Sequence, residues 1–201
     1  MRATKIVIVF LLVLAILAGL YGIRLIHRGF SAKDRPSTLE TTLARMARHL
    51  AIPPGARKAT NPVPPSPEDL TQGREHFADH CASCHANSGS GQTEIGQNLY
   101  PKVPDMRLPE TQDLTDGEIF YIIRNGVRLT GMPAWEGSHR SDDTWRLVLF
   151  IRHLPQLTAE EESEMERLNP KSDADRDEEL QEEKFLNGGP PPDGSQKKHQ
   201  P

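Results

Sequence analysis

The sequence predicts an all-α protein, with one membrane-crossing helix at its N-terminus and one small helical domain behind it. Three observations predict this. Residues Ile6 to Ile23 form an 18-residue run without a charged side chain, about the length that crosses a bilayer. Helix-start signals recur at Ser66-Pro67-Glu68-Asp69, Thr115-Asp116-Gly117-Glu118 and Thr158-Ala159-Glu160-Glu161, where a hydroxyl caps and acids favour the positive end of the helix dipole. Both cysteines of the chain fall in one stretch, Cys81-Ala82-Ser83-Cys84-His85, whose spacing suits a single helical turn.

Composition limits the folded part. Only 36% of the 201 residues are hydrophobic, many of them in the N-terminal run, and the 17 prolines and 15 glycines gather in linkers and the tail. One folded domain of roughly 90 residues is expected, near the lower end of domain sizes. The chain divides into an anchor at 1–30, an amphipathic helix and Pro-rich linker at 31–66, the folded domain at 67–157, and an acidic helix with a disordered tail at 158–201. Charge follows the same divisions. Residues 1–66 carry ten Lys/Arg against two acids, residues 67–157 eight against thirteen, and residues 158–201 six against thirteen. No basic patch with interleaved aromatics points to nucleic acid.

The elements follow in order. A cleaved signal peptide normally has a shorter apolar region and an A-x-A-like site; Ala15 and Ala18 lack that spacing, so an uncleaved anchor is expected. Leu39, Leu43, Met46 and Leu50 recur at helical spacing and give residues 37–51 a narrow apolar stripe. That stripe is expected to pack on the domain or belong to a stalk; the sharper alternative is an interfacial or partner-binding helix. Residues 52–67 hold six prolines and read as a semi-extended linker. A helix from Ser66 runs into Cys81, carrying Leu70, Gly73 and Phe77. Asn87 to Gly91 reads as a flexible loop and the segment to Thr111 as irregular. The apolar helix of Ile119 to Asn125 stops at Gly126. A last core helix after Ser141-Asp142-Asp143 bears Trp145, Val148, Leu149 and Leu154, and ends at Pro155.

C-x-x-C-H is the attachment signature of a c-type haem. Each cysteine sulfur adds to one vinyl group, and the imidazole of His85 binds the iron from the proximal side. Rival chemistries fit less well. A structural zinc site needs four ligands, usually two such pairs, and no second pair exists. A thioredoxin-like motif needs a βαβ context, and a disulfide between Cys81 and Cys84 would close a small, strained ring. The sixth iron position decides between an open, reactive iron and an electron carrier. Met132 sits in a Gly-Met-Pro turn whose proline fixes chain direction, so ligation by Met132 is expected, with Met106 and His139 as the other candidates. The plain alternative is that Met132 fills the core.

Over residues 67–157 the chain resembles the class I c-type cytochromes, chiefly small membrane-anchored bacterial members. The resemblance rests on Gly73-x-x-x-Phe77-x-x-x-Cys81-x-x-Cys84-His85, on Gly-Met132-Pro, and on the terminal helix with Trp145. It implies a small cytochrome c-like helical domain around one covalently bound haem c, and a crossing of the first and last helices where Gly73 and Phe77 meet the face of Trp145 and Leu149. It says nothing of the N-terminal stripe or the acidic tail.

The function implied is electron transfer by a His85/Met132-ligated haem, without substrate turnover, and hence not an enzyme in itself. Redox partner proteins are expected, including a dehydrogenase or terminal oxidase complex in which the chain could serve as cytochrome subunit. The alternative is a five-coordinate haem protein that senses or acts on a small gas or peroxide. The expected location is the bacterial cytoplasmic membrane, single-pass, with the haem domain facing the periplasm. Flanking charge opposes that topology, with two basic residues before the span and four (Arg24, Arg28, Lys33, Arg35) just after it. Thioether attachment on the outer face outweighs it.

Overall fold

The computed structural model describes residues 2–29, 31–137, 140–170, 180–181 and 184–188. Within these residues the regular structure is helical, with no β-strand. The tail expected to be disordered falls mostly on residues 171–179 and 189–201, outside the described residues.

Helix α1, Arg2–Arg28, is unbroken. At 1.5 Å per residue it is ~40 Å long, enough to cross a hydrocarbon core of ~30 Å. None of its 24-residue apolar part is buried within the protein, and a helix apolar on all sides suits lipid.

The domain is built on two crossing helices, α4 (Pro67–His80) and α9 (Ser141–His153). Ser66 caps α4, its hydroxyl accepting from the Asp69 amide at 3.0 Å. At the crossing the backbones touch: a Cβ on Gly73 would lie 2.3 Å from the Arg146 carbonyl oxygen and 3.3 Å from Phe150 Cβ. One turn on, Phe77 and Phe150 are fully buried with ring centroids 5.1 Å apart. The crossing partners are therefore Arg146 and Phe150, not Trp145 and Leu149 as the resemblance implied. Positions 145/149 and 146/150 lie on neighbouring faces of one helix, about 100° apart. The Trp145 face turns instead to α8 (Asp116–Asn125), where Trp145 stacks on Phe120 at 4.0 Å. Arg152 closes this corner, donating to Asp116 Oδ1 at 2.9 Å, to the Gln112 carbonyl at 2.6 Å and to the Leu114 carbonyl. The acidic helix α10, Ala159–Glu166, buries Met165, and Glu164 pairs with Arg74 of α4 at 2.8 Å.

Two segments depart from expectation. The residues read as a semi-extended linker wrap the domain. Ile52 is buried, Ala59 and Val63 pack against the core, and Asn61 Nδ2 donates to the Trp145 carbonyl at 2.9 Å. A one-turn helix, α3 (Pro54–Arg57), lies so close to α8 that a Cβ on Gly117 would stand 1.9 Å from the Ala56 carbonyl oxygen. Apolar residues between the prolines give this stretch something to bury. The loop at 87–91, read as flexible, is an enclosed turn: Gly89 and Gly91 are buried, and the Met106 amide donates to the Gly89 carbonyl at 2.8 Å.

The crossing yields a direct test. Gly73→Ala forces a methyl into a backbone oxygen that cannot move without shifting α9. Overpacking of this kind costs ~1–3 kcal/mol. Denaturant unfolding of the holoprotein should show a clearly lower midpoint; an unchanged midpoint would mean that α4 and α9 are not in backbone contact.

Candidate haem-binding site

The pentapeptide is delivered by the end of α4. The Cys81 amide donates to the Phe77 carbonyl at 2.8 Å, and the single turn α5, Ala82–His85, follows directly. Within it the His85 amide donates to the Cys81 carbonyl at 2.9 Å. One turn therefore carries both thiols and the imidazole, as the spacing implied, and the two thiols are not bridged to each other.

The turn is then locked from its far side. The His85 carbonyl accepts from the Gly91 amide at 2.8 Å, and the Cys84 carbonyl from Thr93 Oγ1 at 3.0 Å. Thr93 caps the short helix α6, Glu94–Asn98, through the Gly96 amide at 2.8 Å. A Cβ on Gly96 would lie 2.5 Å from the Cys84 carbonyl oxygen and 2.7 Å from that of Gly91. The sequence predicts irregular chain here. A signal for the clamp was present in Thr93-Glu94, a cap residue followed by an acid, but the run is too short to show a hydrophobic period.

Burial sets the chemistry of the turn. His85 is 8% exposed, lies 6.4 Å from the Phe77 ring, and its Nδ1 is enclosed without a hydrogen-bond partner. Desolvation pushes its imidazole down to about 4, so the ring is neutral near pH 7 and offers a lone pair to a metal. Desolvation also pushes the Cys81 thiol up to about 12, with Cys84 and Asp79 adding to the rise. A thiol so held is a poor thiolate ligand or disulfide partner. Among the described residues no three His, Cys, Asp or Glu side chains gather into a metal cage. This donor set fits a c-type haem: two unbridged thiols and a neutral, buried imidazole with an unpaired nitrogen.

Met132 lies in a loop that returns to α8. Gly126, at φ +64°, starts it; the Val127 amide donates to the Met132 carbonyl at 3.1 Å, and the Met132 amide to Thr130 Oγ1 at 3.1 Å. The Trp135 and Glu136 amides donate to the Ile123 and Arg124 carbonyls at 3.2 and 2.9 Å. The loop flanks the pentapeptide. Trp135 meets His80, next to Cys81, edge to face at 5.8 Å, and Gly131 packs against Leu99 just after α6. Met132 is half-buried and outside the core cluster, whereas Met106 and Met165 belong to it. His139 lies outside the described residues.

Residues 68–151 match the family model "Cytochrome C oxidase, cbb3-type, subunit III", a c-type cytochrome domain. No curated protein matches the chain. Among solved structures, a chain of the reducing HAO-like protein complex of Kuenenia stuttgartiensis is similar at 18% identity and a TM-score of 0.43, over 46% of each chain. The chain thus spans under half the length of that neighbour.

The clamp can be probed on its own. Gly96→Ala should displace α6 from the Cys84 carbonyl and loosen the attachment turn. Its covalent haem content per polypeptide, read by the haemochrome assay, should fall several-fold. Full loading would show that the clamp is not needed.

Proposed function

Starting from a c-type cytochrome domain at residues 68–151, we propose that this chain carries single electrons through one haem c, which Cys81 and Cys84 would hold by thioether bonds and whose iron His85 and Met132 would bind. The observation that carries the proposal is the single locked turn presenting two thiols beside a buried, neutral imidazole. Bound haem iron supplies the one-electron ferric/ferrous couple.

The chain's own residues do the rest. The Thr93 and Gly91 bonds to the motif's carbonyls hold the cysteines and His85 in one orientation. Burial keeps His85 deprotonated, so a proton does not compete for its lone pair. The loop at 126–136, tied to α8 at both ends, would bring Met132 to the iron, while Met106 and Met165 sit in the core. The Phe77–Phe150 pair and the α4–α9 crossing keep water from the buried His85. Low polarity and a thioether ligand favour the ferrous state, raising the potential relative to two imidazoles.

Helix α1 tethers the domain to the bacterial cytoplasmic membrane, with the domain on the periplasmic side, where thioether attachment takes place. The partners are redox proteins, and the family match at 68–151 favours a role as cytochrome subunit of an oxidoreductase complex such as a terminal oxidase. The chain itself turns over no substrate.

The test is a pair of substitutions at the sixth position. Met132→His should stay six-coordinate with a lower potential, and Met132→Ala should gain carbon monoxide binding. Unchanged spectra in both would move the ligand to Met106 or His139. Carbon monoxide binding by the unaltered protein would favour the five-coordinate, gas- or peroxide-directed reading. Cys81→Ala with Cys84→Ala should leave any haem extractable by acid acetone.

A further inference from the structure

Helix α2, Thr38–Ala51, sits on the domain the wrong way round for a soluble protein. Its polar side makes the contacts. His49 Nδ1 donates to the buried Glu118 carboxylate at 3.0 Å, Arg57 donates to His49 Nε2 at 3.0 Å, and Tyr100 OH donates to Glu40 at 2.6 Å. Thr41 and Arg48, the half-buried positions of the helix, fall on this side. On the opposite side Leu39, Leu43, Met46 and Leu50 are 69, 56, 57 and 75% exposed. They form one continuous apolar row, and no described residue covers it.

We propose that this row lies on the surface of the membrane crossed by α1, so that the domain is held against the bilayer by two points rather than swinging on a tether. The inference rests on the reading of α1 as a membrane anchor. Chain length argues for it. Lys102 Nζ donates to the Ala32 carbonyl at 2.7 Å, so the polypeptide is pinned to the domain four residues beyond the end of α1 at Arg28. Four residues reach at most ~14 Å. The start of α2 is six residues further on, so along the chain it lies within ~35 Å of the end of α1. Charge argues the same way. From the C-terminal end of α1 to the start of α2 the chain carries Arg24, Arg28, Lys33 and Arg35 against Asp34 alone. A basic segment beside an exposed apolar row matches an anionic lipid surface. The acidic domain at 67–157 would be repelled by that surface, so the pairing also sets which side of the domain faces away.

Site-directed spin labelling tests this on the full-length holoprotein, whose own cysteines are occupied by haem. Single cysteines Leu43→Cys, Leu14→Cys and Glu94→Cys are labelled and reconstituted in phosphatidylethanolamine/phosphatidylglycerol vesicles. Collision with oxygen is then compared with collision with a water-soluble nickel chelate. The oxygen-to-nickel ratio should be several-fold higher at position 43 than at the exposed position 94, and high at position 14. A water-like value at 43 with a lipid-like value at 14 overturns the inference and leaves the anchor standing. A water-like value at 14 overturns the anchor itself. Spin–spin broadening at 43 that grows with protein per vesicle shows a second copy on the row and also overturns it. Met46→Cys gives the same reading should Leu43→Cys lose haem.

Discussion

Everything in the domain depends on one close approach, the contact of Gly73 in α4 with the Arg146 carbonyl in α9. Because no side chain separates the two backbones, Phe77 and Phe150 can meet one turn later and seal the end of α4. That end is where Cys81 begins, so the register of the crossing fixes the position of the attachment turn. Truncating a buried aromatic of this kind costs ~3–5 kcal/mol, several times the ~0–1 kcal/mol typical of exposed ion pairs. The part-buried pair of Arg146 with Asp69 at 2.9 Å adds to the alignment of the two helices beside this contact.

The same burial that stabilises the crossing prepares the chemistry. His85 loses access to water because Phe77 and the turn at Gly91 enclose it, and the neutral imidazole follows from that loss. The Met132 loop is organised differently. It is held by backbone bonds to α8 and by the Thr130 hydroxyl, with Met132 half-buried and outside the core cluster.

Local signals were legible in the sequence. Ser66, Thr115 and Thr158 cap helices where their spacing to Asp69, Glu118 and Glu161 said they would, since a cap is decided within four residues. The attachment turn and the stop at Gly126 are local in the same sense. Non-local choices were not legible. Trp145/Leu149 and Arg146/Phe150 are neighbouring faces of one helix, and only the presence of α8 decides which of them meets α4. The strap at 52–66 hides its few apolar residues among prolines. The amphipathic pattern of α2 correctly marked a helix, yet gave no warning that the polar side would face the domain through His49 and Glu118. Of the methionines the sequence offers, Met106 and Met165 belong to the core and Met132 is half-buried in its loop.

The central claim is that one haem is held by the turn at 81–85 and closed by Met132. Nuclear magnetic resonance of the reduced holoprotein, with methionine methyl groups labelled with carbon-13, tests it most directly. A methyl group bound beneath the porphyrin is displaced far upfield by the ring current. One such resonance is expected, lost on replacing Met132 and retained on replacing Met106. No displaced methyl, or one that disappears with Met106, would contradict it.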